Sequence, residues 1–310
     1  MKKAFLLILI SLLFATSCSS QNTNNFVSLF NGKDLSNWTL QKPGAFEVKD
    51  GEIITRSFGA GNDIFSNKWY GNFILRLEFM LSEVGNSGVF IRFNPNIQAT
   101  GFEVQLLAPW TPWRDDLHCT GSLYGYVPVI NRPDETTGIW YRMEIKCDRN
   151  IVTVSVNDKV TTIADIDTVK SFINKPYFGV IGFQGNHANK QGQYAKFRNI
   201  FIRDLDTEPD YLKKGFYCKD TQFRNYALVA AVSIGADMVA TLSDIMSGDD
   251  PVAKSGAKDA LFNIVAKASD PESPEKEKKA VSAALKKSIK NASTPITKNY
   301  LKWLSGMITN

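Results

Sequence analysis

The sequence predicts a mainly-β protein: a two-sheet sandwich over residues 26–206, followed by a small all-α domain over residues 207–310. Three observations predict it. Between Phe26 and Leu205, apolar and polar residues alternate in strand-length runs, separated by turn residues about every ten positions. No helical pattern interrupts these runs, which favours two packed antiparallel sheets over an alternating α/β order. Past Asp206 the texture changes to Ala, Lys and Ser, with apolar residues at helical spacing such as Leu261, Ile264, Val265 and Ala268.

The chain begins with a leader. Lys2 and Lys3 precede an apolar run from Ala4 to Phe14, and the small residues Ala15, Thr16 and Ser17 stand directly before Cys18. That run is shorter than the ~18–20 residues that span a bilayer, so residues 1–18 read as a secretory signal. Small residues followed by cysteine resemble the lipobox of bacterial lipoproteins. The resemblance implies a lipid anchor on Cys18, a polar tether over residues 19–25, and an outer-membrane lipoprotein facing the periplasm.

Within the sandwich, Phe73, Leu75, Leu77 and Phe79 alternate with Ile74, Arg76, Glu78 and Met80, and Val152, Val154 and Val156 repeat the rhythm. Phe46–Val48 and Ile53–Ile54 flank Asp50-Gly51, a pair suited to a tight hairpin with positive φ at both central residues. Asn31-Gly32 and Asn157-Asp158 are further turns. Removing Cys18 leaves Cys119, Cys147 and Cys218, too few for a disulfide framework. Cys147 shares a strand face with Tyr141, Met143 and Ile145 and so reads as a small buried hydrophobe. Cys119 adjoins His118.

In the helical part, a capping residue followed by proline marks three starts: Asp250-Pro251, Ser273-Pro274 and Thr294-Pro295. Pro251 to Pro295 brackets two helices over about 44 residues, the length of a HEAT-type helical pair. The expectation is a HEAT-like domain, with a plain helical bundle as the alternative. Residues 270–279 mix both charge signs around two prolines and read as a solvated interhelix loop.

Composition excludes several classes. The chain has 310 residues, 44% apolar and 22% charged, with 21 Gly and 12 Pro, which rules out a disordered or collagen-like chain. The formal net charge of +5 includes two leader lysines and forms no basic stripe in the sandwich, so no nucleic-acid partner is expected. Familiar catalysts are missing too. There are only two histidines, and no Gly-x-Ser-x-Gly elbow, phosphate loop, Cys-x-x-Cys pair or His-Glu-x-x-His helix. A jelly-roll glucanase would carry paired carboxylates along one strand, whereas Gly101-Phe-Glu-Val-Gln-Leu106 offers only Glu103 beside Gln105.

What remains are polar residues on strands and turns with no packing reason to be there. Arg92 interrupts Val89–Phe93 just after Asn86-Ser-Gly88. Glu103 and Gln105 interrupt the next strand. His118-Cys-Thr-Gly-Ser-Leu-Tyr124 comes next, and later Phe183-Gln-Gly-Asn-His187. Both histidines lie in Gly-containing, turn-like segments. The structural reading of each histidine is a hydrogen-bonded residue, and that of Arg92 and Glu103 a salt bridge.

From about Phe26 to Leu205 the sequence resembles the 3-keto-disaccharide (3-keto-glycoside) hydrolase family. The landmarks stand in order: Leu29-Phe-Asn-Gly-Lys-Asp-Leu-Ser-Asn-Trp38, Phe46-Glu-Val-Lys-Asp-Gly51, Tyr70–Phe79, Asn86-Ser-Gly-Val-Phe-Ile-Arg92, Gly101–Leu106, His118–Tyr124, Trp140-Tyr-Arg142, Gly182-Phe-Gln184 and Phe197-Arg-Asn-Ile200. The resemblance implies a concanavalin A-like jelly-roll sandwich whose concave sheet holds the sugar. Two stretches depart from the pattern: Gly182–Asn189, which contains His187, and Ala108–Asp116, whose Trp110 and Trp113 either wall the sugar or pack the loop.

The family's chemistry suits this inventory. A ketone at sugar carbon three acidifies the hydrogen on carbon two, so loss of that proton lets the group on carbon one leave by β-elimination, and water can add back. On this reading His118 or Glu103 is the base, and a divalent metal or Arg92 holds the developing oxyanion. Glu103 and His118 are the metal-ligand candidates. His187 protonates the leaving oxygen, and Asn86, Gln105, Tyr124, Gln184, Asn186, Trp110 and Trp113 bind an oxidised (3-keto) glycoside. The rival reading is a non-catalytic carbohydrate-binding lipoprotein. A third gives the working role to the helical domain, contacting a protein partner or its own sandwich.

Overall fold

The computed structural model describes residues 25–56, 62–97, 101–112, 114–170, 177–185, 191–219 and 221–308. Strands come first: β1 (Val27–Ser28), β2 (Trp38–Leu40), β3 (Phe46–Lys49), β4 (Glu52–Thr55), β5 (Ile64–Tyr70) and β6 (Phe73–Leu81). Next are β7 (Asn86–Phe93), β8 (Phe102–Leu107), β9 (Tyr141–Asp148), β10 (Ile151–Val156), β11 (Lys159–Asp165), β12 (Gly179–Phe183) and β13 (Ala195–Asp204). They form two antiparallel sheets. One runs β11-β10-β9-β6-β13-β4-β3, with β1 also on β13, and the other runs β2-β5-β12-β7-β8.

The period-two pattern places the core. Phe73, Leu75, Leu77 and Phe79 of β6 are buried and the residues between them are half-buried. Leu75, Ile145, Val154 and Ile202 meet Ile64, Ile91, Val104 and Ile181 of the facing sheet. Each such side chain contributes about 1.5–3 kcal/mol by leaving water. Asp50 (φ 52°) and Gly51 (φ 77°) turn β3 into β4, and Asn157 (φ 48°) and Asp158 (φ 65°) turn β10 into β11, as the dipeptides predict. Cys147 is buried, and Cys119, Cys147 and Cys218 are free thiols.

After a short 3₁₀ turn come α1 (Pro209–Phe216), α2 (Thr221–Ile234), α3 (Val239–Ser247), α4 (Pro251–Ser269), α5 (Glu275–Asn291) and α6 (Pro295–Ile308). Asp250 caps α4 by accepting from the N–H groups of Val252 and Ala253, and Thr294 Oγ1 accepts from Thr297 N–H at the start of α6. The expected cap at Ser273-Pro274 is different. There α5 starts at Glu275 with an extended Pro274 before it, because the Ser273 hydroxyl is spent on the Lys267 carbonyl at the end of α4. Residues 223–247 are long and apolar enough to cross a membrane, yet Gly235 (φ 75°) breaks them into α2 and α3. Their Ala231, Met238, Leu242 and Ile245 fill the helical core.

A polar joint ties the two parts together. Asp206, just past β13, accepts from Asn72 N–H (2.6 Å), Asn72 Nδ2 (2.8 Å) and the Tyr226 hydroxyl of α2 (2.5 Å). The Tyr211 hydroxyl of α1 donates to Asp148 at 2.9 Å, and Phe223 meets Tyr177 edge-on. Burial raises the Asp206 pKa against the pull of these donors.

Candidate active site

The site builds up from strand register. In β7, Val89 and Ile91 enter the core, so Gly88 and Phe90 face outward. Gly88 pairs with Gln105 and Phe90 with Glu103 across β8, which brings all four to the outer face of the five-stranded sheet. Phe90 also belongs to a second apolar cluster on this face. It packs with Phe65 and Val180, flanked by Trp69 and Phe93, and the Phe65 and Phe93 rings stack at 5.2 Å.

Glu103 lies over Gly88. A β-carbon at position 88 would stand 2.2 Å from Glu103 Oε1, so only glycine leaves the carboxyl its place. Removal from water, and secondarily the Asp63 carboxylate, push the Glu103 pKa up to about 8. Asp63 is fixed at the start of β5, where its Oδ1 accepts from Gly185 N–H at 2.9 Å. Among the described residues no donor is hydrogen-bonded to the Glu103 carboxyl. Asp63 escapes a search for paired carboxylates along one strand, because it arrives from another. Its one sequence signal is its place directly before an apolar run.

The loop after β8 adds the next two groups. Gly121–Tyr124 runs along the free edge of β8: Gln105 N–H donates to Ser122 O, Gly121 N–H to Gln105 O, and Tyr124 N–H to Glu103 O at 2.9 Å. Leu123, opposite Val104, enters the core, which leaves Tyr124 on the same face as Glu103. The His118 ring meets Tyr124 edge-on at 5.1 Å. Its Nδ1 lies 2.7 Å from Asp115 Oδ1, a contact that lowers the Asp115 pKa. With the Nδ1 proton donated to Asp115, Nε2 is the nitrogen left to act on a substrate.

The remaining sequence candidates divide. Asn86 opens β7 on the same face, and its Oδ1 is buried without a hydrogen-bond partner. Gln184 is buried just beyond β12, its N–H donating to Gly88 O. Gln105 spends its side-chain oxygen on Leu106 N–H, leaving its amide to donate. Trp110 packs against the core between the sheets and donates its indole N–H to Gly85 O, which makes it a loop anchor. Trp113, Asn186, His187 and Cys18 lie outside the described residues.

Arg92 is a correction. Strict alternation would place it beside Phe90, but a bulge opposes three steps of β7, Phe90 to Phe93, to two steps of β12, and Arg92 takes φ 49°. The bulge turns its side chain inward, where it is fully buried and donates to Gly71 O (2.8 Å), Arg149 O (2.8 Å) and Asn72 Oδ1 (3.3 Å). It neither pairs with Glu103 nor reaches the outer face. Among the described residues no group of three or more His, Cys, Asp or Glu able to hold an ion is gathered, while His118, its Nδ1 turned to Asp115, keeps Nε2 open.

The fold agrees with the comparisons. Two solved candidate glycosyl hydrolases from Parabacteroides distasonis superpose on the sandwich with TM-scores of 0.50. One is 26% identical over 58% of this chain and 100% of its own, the other 22% identical over 59% and 94%. No curated protein sequence matches the chain. The family model of the 3-keto-alpha-glucoside-1,2-lyase-like domain matches residues 25–203, from before β1 almost to the end of β13. That match covers more than half of the chain and every described residue of the site, so the protein belongs to the 3-keto-alpha-glucoside-1,2-lyase-like family and its function is carbohydrate-related.

Proposed function

We propose that this protein cleaves 3-keto-glycosides by β-elimination, with His118 as base and Glu103 as acid. The observation that carries the reading is Glu103: a carboxyl held near pKa 8, over a glycine, on the face where the strand register also sets Gln105 and Tyr124. A carboxyl with that pKa is largely protonated at neutral pH and can donate. His118 Nε2 takes the proton from carbon two, and the electron pair forms an enolate with the carbon-three oxygen. As the enolate collapses to a carbon-one–carbon-two double bond, the carbon-one–oxygen bond breaks and the leaving oxygen takes the Glu103 proton. The products are the free alcohol and a 2-hydroxy-3-keto-glycal; adding water across the new double bond makes the net reaction a hydrolysis.

The Gln105 amide supplies a donor for sugar hydroxyls, and Tyr124 supplies a ring. The apolar cluster of Phe65, Phe90 and Val180 keeps water from one side of Glu103 and sustains its raised pKa.

The test compares alcohol release from a 3-keto-glucoside and from its unoxidised parent. Release is expected from the ketone alone and to fall about 10²–10⁴-fold in His118→Ala. Cleavage of the parent glycoside at a similar rate would instead assign the chemistry to Glu103 and Asp63 as a carboxylate pair. Binding of glycans with no release from either substrate would return the sandwich to a carbohydrate-binding role.

A further inference from the structure

The helical part carries a surface that the sugar chemistry does not use. On α6, Ile296, Tyr300 and Trp303 recur at helical spacing, and Ile296 and Trp303 are 72% and 54% exposed. On the neighbouring α4, Phe262 is 39% exposed and its ring stacks on Trp303 at 6.1 Å. Tyr300 lies 5.5 Å from Trp303, and its hydroxyl donates to the Lys258 carbonyl. Rings serving only to hold α4 against α6 would be buried between them, a task already met by the buried Leu261, Ile264, Leu301 and Leu304.

Charge identifies the occupant. Lys258 and Lys254 lie about one and two turns before Phe262 on α4, and Lys302 is next to Trp303 on α6, with Asp259 the acid whose charge acts on Tyr300. Among the described ion pairs none of these lysines has a carboxylate partner, and Lys258 Nζ sits 5.3 Å from the centre of the Tyr300 ring. A second copy of the same face would set lysines against lysines. Tryptophan and tyrosine rings beside unpaired lysines match the boundary between acyl chains and anionic headgroups, where the rings lie at headgroup depth and the ammonium groups meet phosphate.

We propose that the α4–α6 face docks the protein on an anionic lipid surface, independently of the reaction assigned to the sandwich. The test mixes the full-length chain with vesicles in which part of the lipid is brominated, made of phosphatidylcholine with or without phosphatidylglycerol. Residues 1–24 contain no tryptophan, so an inserted leader is silent in this readout. Anionic vesicles are expected to quench about one sixth of the emission, the share of one tryptophan in six, and Trp303→Phe should abolish that quenching. Lys258→Glu with Lys302→Glu should remove the dependence on phosphatidylglycerol, with circular dichroism confirming the fold. Equal quenching in Trp303→Phe, or none in either protein, overturns the proposal. A lipid-free dimer that Trp303→Phe dissociates would overturn it in favour of a second copy.

Discussion

Glu103 and Asp206 are both carboxyl groups whose pKa is raised by burial, yet one lies on the outer face of the five-stranded sheet and the other at the joint with the helices. Their surroundings differ. Asp206 accepts from Asn72 twice and from Tyr226 once, so its oxygens are occupied and the three bonds fasten the sandwich to α2. Glu103 has no described donor, a second carboxylate in Asp63, and a glycine beneath it. A buried carboxyl with its acceptors filled is a fastener. One left unfilled on an outer face, at a pKa near neutrality, is poised to exchange a proton.

The sharpest way to break this comparison is to neutralise each group. Glu103→Gln should lower alcohol release from a 3-keto-glucoside by about 10²–10⁴-fold, the span of a lost acid or base. Its melting temperature should hold at neutral pH, where Glu103 is already largely uncharged, and exceed that of wild type above about pH 8, where the ionised carboxyl would face Asp63. Asp206→Asn should do the reverse, lowering stability in urea by about 1–3 kcal/mol as donors lose their acceptor, while activity per folded molecule is kept. Parallel losses of activity in the two variants would erase the distinction.

A pH series sharpens it further. Folding raises the Glu103 pKa from 4.5 to about 8, so between those values the folded chain binds a proton that the unfolded chain has released. The stability this group confers is complete below about pH 4.5 and is lost as pH rises through 8, with a slope approaching about 1.4 kcal/mol per pH unit. Asp206 is also raised, so the Glu103 share is isolated by subtracting the Glu103→Gln curve from wild type. A difference that is flat from pH 5 to 8 would show that Glu103 is not held protonated. Alcohol release should decline above about pH 8 as the acid loses its proton.

The fold was legible where local chemistry and tertiary position agree. Alternation in β6, positive-φ dipeptides at residues 50–51 and 157–158, and prolines at the starts of α4 and α6 each need only near neighbours to act. The site was legible only in part. Glu103, Gln105, Tyr124 and His118 announce themselves as polar residues in apolar or Gly-containing runs, and register then gathers the first three. Arg92 obeys the same rule and fails it, because a single residue at φ 49° changes the face. Asp63 is the opposite failure: it breaks no pattern in its own segment, and only the pairing of β5 with β12 brings it to Gly185. The helical joint was invisible because Asn72, Asp206 and Tyr226 are ordinary polar residues until the sheet and α2 meet.

That joint supplies the smallest effect, one that separates a chain of bonds from independent contacts. Arg92 reaches Asn72, Asn72 reaches Asp206, and Asp206 receives Tyr226, whose phenol is kept protonated by burial and by the neighbouring carboxylate. Tyr226→Phe removes one hydroxyl with little change of volume and should cost about 0.5–1.5 kcal/mol in urea unfolding. Combined with Asp206→Asn, it should cost less than the sum of the two single changes, because both remove the same bond. Strict additivity would mean that the hydroxyl finds another acceptor, and α2 would then be held by the Phe223–Tyr177 contact and apolar packing. With either result, activity per folded molecule should stay at the wild-type level, because no group in this chain of bonds reaches the face that carries Glu103.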